Sequence, residues 1–94
     1  MKFIDWDQKK NLKLKNERDI CFEDIIIAIN DGNVLRVKKS YNSKKYPHQK
    51  MIVKINNYAF LVPFVEDDKK IFLKTIIPSR KATKKYLLKN KLQP

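Results

Sequence analysis

After Gly32 the hydrophobic period of this chain changes to two, and the change separates two N-terminal helices from the sheet. Gly32 is the only glycine among 94 residues. Directly after Asp31, it is the natural left-handed cap for the end of a helix. Upstream, Glu23 and Asp24 stand where a helix favours carboxylates, in its first turn, with Cys21 or Phe22 at the start. The run Ile25 to Ile29 is apolar nearly all round and would also suit a strand, but its acidic start and glycine stop favour a helix. Before it, Asp7 is a plausible N-cap for a first helix running from Gln8 through Leu12 and Leu14 to about Asn16. Lys2 to Trp6 reads as a short edge strand.

Downstream of Gly32 the period is two. Leu35 and Val37 alternate with Arg36 and Lys38, and residues 40 to 48 read as a polar, lysine-rich loop holding Asn42, Ser43 and Pro47. Met51, Val53 and Ile55 then face one way, with Lys50, Ile52 and Lys54 facing the other. Asn56-Asn57 is a two-residue turn signal, and Tyr58 to Val65 forms the returning strand of a hairpin. Pro63 marks that strand as bulged or partly at an edge. After a turn at Asp67-Asp68, Ile71, Leu73, Thr75 and Ile77 alternate with Phe72, Lys74 and Ile76 in a final strand. Pro78 ends the sheet, and Ser79 is an N-cap for a helix from Arg80 to about Lys89 with a stripe of Ala82, Thr83, Tyr86 and Leu87. Asn90 to Pro94 should fray. The expected class is α+β: two N-terminal helices, a four-stranded antiparallel sheet and a C-terminal helix, in a single domain over residues 1–94. At 43% hydrophobic residues with ten aromatics, the chain can build a core.

Charge narrows the function classes. Twenty-two Lys and Arg against ten Asp and Glu give +12, which destabilises an isolated fold and calls for an anionic neighbour: nucleic acid, a membrane face or an acidic protein. Plentiful Lys, Asn and Ile together look like the codon bias of an AT-rich genome, so the three arginines, Arg18, Arg36 and Arg80, carry more weight than the lysines. Cys21 is the only cysteine and His48 the only histidine, which leaves no protein-built zinc site and no intramolecular disulfide. Glu66, Asp67 and Asp68 sit in a turn beside lysines without further ligands, so no metal and no cofactor is expected. No stretch approaches the eighteen or so apolar residues of a membrane span, and a cytoplasmic protein without membrane attachment is the expectation.

Trp6-Asp7, the group Arg18, Ile20, Phe22, Glu23 and Asp24, and the run Ile77-Pro78-Ser79-Arg80-Lys81-Ala82-Thr83 together resemble the BrnT family of bacterial toxins. The "SRKAT" segment is the most specific piece. The resemblance implies a RelE-like ribonuclease fold and a translation-inhibiting endoribonuclease. It also implies a cognate antitoxin encoded beside it, with which the toxin forms a hetero-oligomer in the bacterial cytoplasm.

Metal-free RNA cleavage needs a group to take the 2′-hydroxyl proton, a cation for the charge developing on phosphate, and an acid for the leaving oxygen. Arg80, at the head of the last helix, is placed to grip a phosphate together with backbone N–H groups, and it matches the arginine of "SRKAT". Lys74, within an apolar strand, either snorkels or points into a groove. His48 follows Pro47 and suits proton transfer near neutral pH, although a lone loop histidine is more often solvent-facing. Tyr86 is a candidate acid that shares a stripe with core positions. Lys44, Lys45 and Lys50 around His48, and Lys81, Lys84 and Lys85 on the last helix, form two clusters able to follow a phosphate backbone. Trp6, Phe22 and Phe60 read as core rather than as base-stacking platforms.

Three functions fit these features: an RNA-cleaving toxin, a non-catalytic RNA- or ribosome-binding module, and an interaction protein whose basic face serves a protein partner alone. The toxin reading predicts that expression of the protein by itself arrests growth, that a small neighbouring gene relieves the arrest, and that Arg80→Ala abolishes it; unimpaired growth with the wild-type protein rules this reading out.

Overall fold

The computed structural model describes residues 2–40 and 48–88. Its elements are β1 (Phe3–Trp6), α1 (Gln8–Arg18), α2 (Phe22–Asn30), β2 (Val34–Ser40), β3 (His48–Ile55), β4 (Tyr58–Glu66), β5 (Lys70–Leu73), β6 (Ile77–Pro78) and α3 (Arg80–Thr83). A π-helical turn over Lys84–Leu88 continues α3. The class is α+β. Among the described residues, no helix is long and apolar enough to cross a membrane.

Local chemistry explains the helix ends. The Asp7 side chain accepts from the Lys9 N–H at 2.8 Å and starts α1, which ends where Asp19 turns left-handed at φ 54°. In α2, Asp24 reaches back to accept from the Cys21 N–H at 3.1 Å, a reciprocal cap of the kind that satisfies donors a helix start leaves free. Gly32, at φ 75°, reverses the chain after α2. The two helices are also joined by a residue that periodicity does not reveal. Asn11 is buried, accepts from the Phe22 N–H and donates to Glu23, each at 2.7 Å. One α1 side chain thus closes the first turn of α2.

The sheet has six strands and is mixed, in place of the four antiparallel strands expected. Its order is β1-β5-β4-β3-β2, with β6 beside β4. β1 is the parallel member, with Phe3 opposite Lys70 and Trp6 opposite Leu73. It joins because Ile4 and Trp6 need cover, which they find against the core under α1 and α2. Trp6 stacks on the fully buried Phe22 ring at 5.6 Å between centroids.

The single last strand expected from alternation is two, and Pro63 explains the division. The Lys74 N–H donates to the Pro63 carbonyl at 2.8 Å, but proline has no N–H to return the bond. The ladder breaks there, between β5 at Phe64–Glu66 and β6 at Phe60–Leu61. β4 is otherwise flanked on both sides, so the proline sits at the one gap a central strand offers. The break leaves the carbonyl of buried Ile76 without a strand partner, and the Arg18 guanidinium donates to it at 2.8 Å.

β2 departs from simple alternation too. Val34 lies opposite Val53, but Arg36 lies opposite Ile52, so Leu35 is the extra residue of a bulge. A bulge places two successive side chains on one face. Leu35 therefore packs with Ile52 and Ala59 beneath α3, whereas Val37, which alternation places on the same face as Leu35, is 49% exposed on the other face. The two faces carry separate cores: Leu14, Phe22, Ile25, Met51, Val53, Val62, Phe64, Leu73 and Ile76 under α1 and α2, and the smaller set of Ile52, Ala59 and Ala82 under α3.

Asn11→Ala should lower unfolding free energy by about 1–3 kcal/mol, because the Phe22 N–H loses its partner in a buried setting. The Asn11 hydrogen bond is also the main cause holding the Glu23 carboxyl below its ordinary value. A carboxyl held low contributes stability above its unfolded pKa and loses it as pH falls through the folded one. The variant should therefore show a higher Glu23 midpoint in a carbon-detected NMR titration and less loss of stability on acidification; an unchanged midpoint contradicts this assignment.

Candidate nucleic-acid interface

The groove on the α3 side of the sheet depends on how α3 is held. Beyond β6, the backbone of Ala59 has no strand neighbour on the side away from β3, and the segment Ser79–Thr83 takes its place. The Ser79 N–H donates to the Ala59 carbonyl at 3.0 Å, and the Ala59 N–H donates to Thr83 Oγ1 at 2.9 Å. Thr83 Oγ1 in turn donates to the Ser79 carbonyl at 2.8 Å, and Ser79 Oγ accepts from the Ala82 N–H at 3.0 Å. Ala59 and Ala82 are both buried and small, so helix and strand approach closely. The serine and threonine of "SRKAT" are structural: they fasten the helix to the sheet.

Cross-strand register then decides which cations meet. Arg36 opposite Ile52, and Lys38 opposite Lys50, share the α3 face, since residues directly opposite each other point the same way. From the helix side come Lys81, Lys85 and Tyr86. Lys38, Lys50, Lys81, Lys85 and Tyr86 line a single cavity of about 230 Å³ with Ile52 and Leu61 among its apolar walls. Lys38 facing Lys50 is a like-charge pair, an arrangement that costs stability in a sheet. Among the described residues, no carboxylate is ion-paired to either lysine. The ion pairs between described residues that the structure contains join Lys2 to Glu66 at 2.8 Å and Lys70 to Asp5 at 3.8 Å, away from this cavity.

Tyr86 is the phenol among the groups that line the cavity. Its hydroxyl is buried without a well-aligned hydrogen-bond partner, and Lys85 Nζ lies 5.4 Å from its ring centre. Burial raises the phenol, but the Arg36 guanidinium, Lys38 and Lys85 outweigh it and hold the group below its ordinary value. Tyr86 belongs to the π-helical turn, a widened turn that is common at functional sites.

The structure thus brings together Lys50, Lys81, Lys85 and Tyr86 of the residues singled out by sequence. Arg80 is exposed at the first position of α3 and does not line the cavity. The N–H groups expected to help it grip a phosphate are occupied, Ala82 by Ser79 Oγ and Thr83 by the Ser79 carbonyl. Lys74, just past β5, and Lys84, on the π-helical turn, are exposed and outside the cavity. The backbone of His48 opens β3 opposite Ser40, and Lys44 and Lys45 lie outside the described residues. Among the described residues there is no group of three or more His, Cys, Asp or Glu that could hold a metal ion.

Arg36 and Lys38 are the residues that sequence reasoning left unassigned. A signal for them exists: all ten carboxylates lie within residues 1–31 or 66–68, so the segment from Gly32 to Val65 contains none. A cation there has no neighbour along the chain to neutralise it. No protein-family model, curated protein or solved structure matches this chain.

Lys50→Gln removes the like-charge pair. It should raise the thermal midpoint at low ionic strength, with the gain shrinking as salt screens the repulsion, and at the same time weaken binding of a polyanion. A variant that is neither more stable nor a weaker binder shows that the pair is an ordinary solvated surface.

Proposed function

We propose that this protein binds RNA in the groove between α3 and the β2–β3 edge of the sheet and cleaves the strand there without a metal, as the toxin of a toxin-antitoxin pair. The observation that carries the proposal is the convergence of Arg36, Lys38, Lys50, Lys81 and Lys85 around the buried hydroxyl of Tyr86, with none of them ion-paired to a carboxylate among the described residues.

In this reading the lysines follow the phosphate backbone, a contact that releases counterions and makes binding steeply salt-dependent. The Arg36 guanidinium, planar and permanently charged, stabilises negative charge developing on the phosphorus oxygens. Tyr86 supplies the proton to the departing 5′-oxygen, and its cationic neighbours make it a stronger acid than a free phenol. The 2′-hydroxyl passes its proton to a water molecule and attacks phosphorus as the bond to the 5′-oxygen breaks, leaving a 2′,3′-cyclic phosphate, which restricts the reaction to RNA. The toxin context rests on the resemblance carried by "WD" and "SRKAT", and an antitoxin that covers this groove would neutralise the protein.

The competing reading is an RNA-binding module without catalysis, and a single substitution separates the two. Tyr86→Phe removes only the hydroxyl, so binding of a labelled RNA by fluorescence anisotropy should persist with its salt slope intact. Cleavage, followed by primer extension, should fall by roughly 100-fold or more. With wild-type protein, cleavage should decline as pH rises through the lowered phenol pKa, because the acid must be protonated. Intact RNA in the wild-type reaction, with binding retained, establishes the module; absence of salt-dependent binding removes both readings.

A further inference from the structure

The last helix covers only part of the sheet face that carries the RNA groove. Beneath it, its apolar partners are Leu35, Ile52, Ala59 and Leu61. Alternation carries the same face of β4 onward from Leu61 to Pro63 and Val65, and Val65 lies opposite Phe72 of β5. On β1, Phe3 shares this face, opposite Lys70. Pro63, Val65, Phe72 and Phe3 belong to neither apolar core, and Phe3 is 63% exposed. An apolar path therefore leads out of the groove to two phenylalanine rings.

A row of lysines runs beside this path. Lys38 lies opposite Lys50, and Lys50 opposite Pro63. The Lys74 N–H donates to the Pro63 carbonyl at 2.8 Å, which puts Lys74 in the same row, across β4 from Lys50. Neighbouring strands stand about 4.8 Å apart, so the three lysines mark out a track across the sheet. All three are exposed, and none is ion-paired to a carboxylate among the described residues. The track stops at Lys74. Beyond it, Asp5 lies opposite Phe72 and pairs with Lys70 at 3.8 Å, and Asp67 and Asp68 stand in the next turn. That border repels phosphate but still offers aromatic surface. Lys70 Nζ lies 5.9 Å from the Phe72 ring centre, close to the limit of about 6 Å for a cation–π contact, so it holds the ring only weakly.

We infer that the RNA strand held in the groove continues over this open part of the sheet, with its phosphates along Lys38, Lys50 and Lys74 and the bases beyond Lys74 stacked on Phe72 and Phe3. The inference rests on the groove being an RNA site, and it names the substrate class: an unpaired strand. Cations for the backbone beside π faces for the bases are the combination that single-stranded nucleic acid uses. A double helix keeps its bases in its own stack and has none to offer the rings. An acidic peptide would meet the lysines but bring no flat partner to Phe72. Stacking of this kind is tolerant of sequence, because every base has a π face.

The test uses the full chain and a dye-labelled RNA of about twelve nucleotides, within the span such surfaces cover. Its riboses are 2′-O-methylated, so it binds without being able to supply an attacking hydroxyl. Phe72→Leu and Phe3→Leu, which keep apolar bulk and remove the ring, should each weaken binding of this single strand by roughly tenfold with the salt slope unchanged. Neither should alter binding of the same RNA annealed to its complement. Lys74→Gln should instead lower the salt slope by about one. In the wild-type protein, the ring protons of Phe72 and Phe3 should shift on NMR titration with the single strand, a readout that needs no substitution. Salt-dependent binding by the wild-type protein with unmoved ring signals overturns the inference, as does a loss in the leucine variants that is equal for single strand and duplex; either result leaves the groove as an RNA site. Absence of salt-dependent binding by the wild-type protein removes the groove reading, and this inference falls with it.

Discussion

Two short side chains, those of Ser79 and Thr83, hold the basic groove together. A strand that loses its neighbour must satisfy its backbone groups in another way, because a buried unpaired N–H or carbonyl costs about as much as a lost hydrogen bond. At Ala59 both groups are satisfied by the start of α3. The helix is consequently seated at one height on the sheet, with Ala82 against Ile52 and Ala59. From that seat its next turn can present Lys81, Lys85 and Tyr86 to the cations of β2 and β3. A looser attachment would let four lysines move apart, as their mutual repulsion favours.

Charge is distributed by element. The carboxylates sit on β1, α1, α2, their connections, the end of β4 and the β4–β5 turn, where several cap helices or form ion pairs. The α3 side of the sheet receives lysines and an arginine with no acidic partner. Like charges held together by a fold oppose its stability, and an anion placed among them relieves that opposition. The Tyr86 phenol, which burial alone would raise, is held below its ordinary value by the surrounding Arg36, Lys38 and Lys85. The cleft on the opposite face is lined by residues of both signs, among them Lys15, Arg18, Asp24 and Asp31.

Much of the local structure was readable from residue order. Asp7, Ser79 and Gly32 mark helix ends in the structure as their chemistry suggests, and Asn56 and Asn57 both adopt the positive φ their hairpin requires. The core stripe of the last helix was visible, with Ala82 and Thr83 buried. Asn11 was not visible, because a buried asparagine in a lysine-rich helix has the same period as a solvent-facing one. The bulge at Leu35 was hidden as well, and with it the position of Arg36 beside Tyr86. Alternation alone assigned Leu35 and Val37 to one face, and a single extra residue separates them.

What the sequence determined by itself is the set of elements, their caps and turns, and a strong positive charge whose carboxylates are confined to two regions. These depend on bonds between residues a few positions apart, and such bonds follow from residue type and spacing. Tertiary structure alone decided that β1 pairs in parallel with β5, that Arg18 satisfies a carbonyl 58 residues away, and that Arg36 and Lys38 meet Lys85 and Tyr86. Those pairings require chain segments to find one another across the sheet, and a pattern with a period of two is indifferent to which strand lies alongside and in which direction it runs.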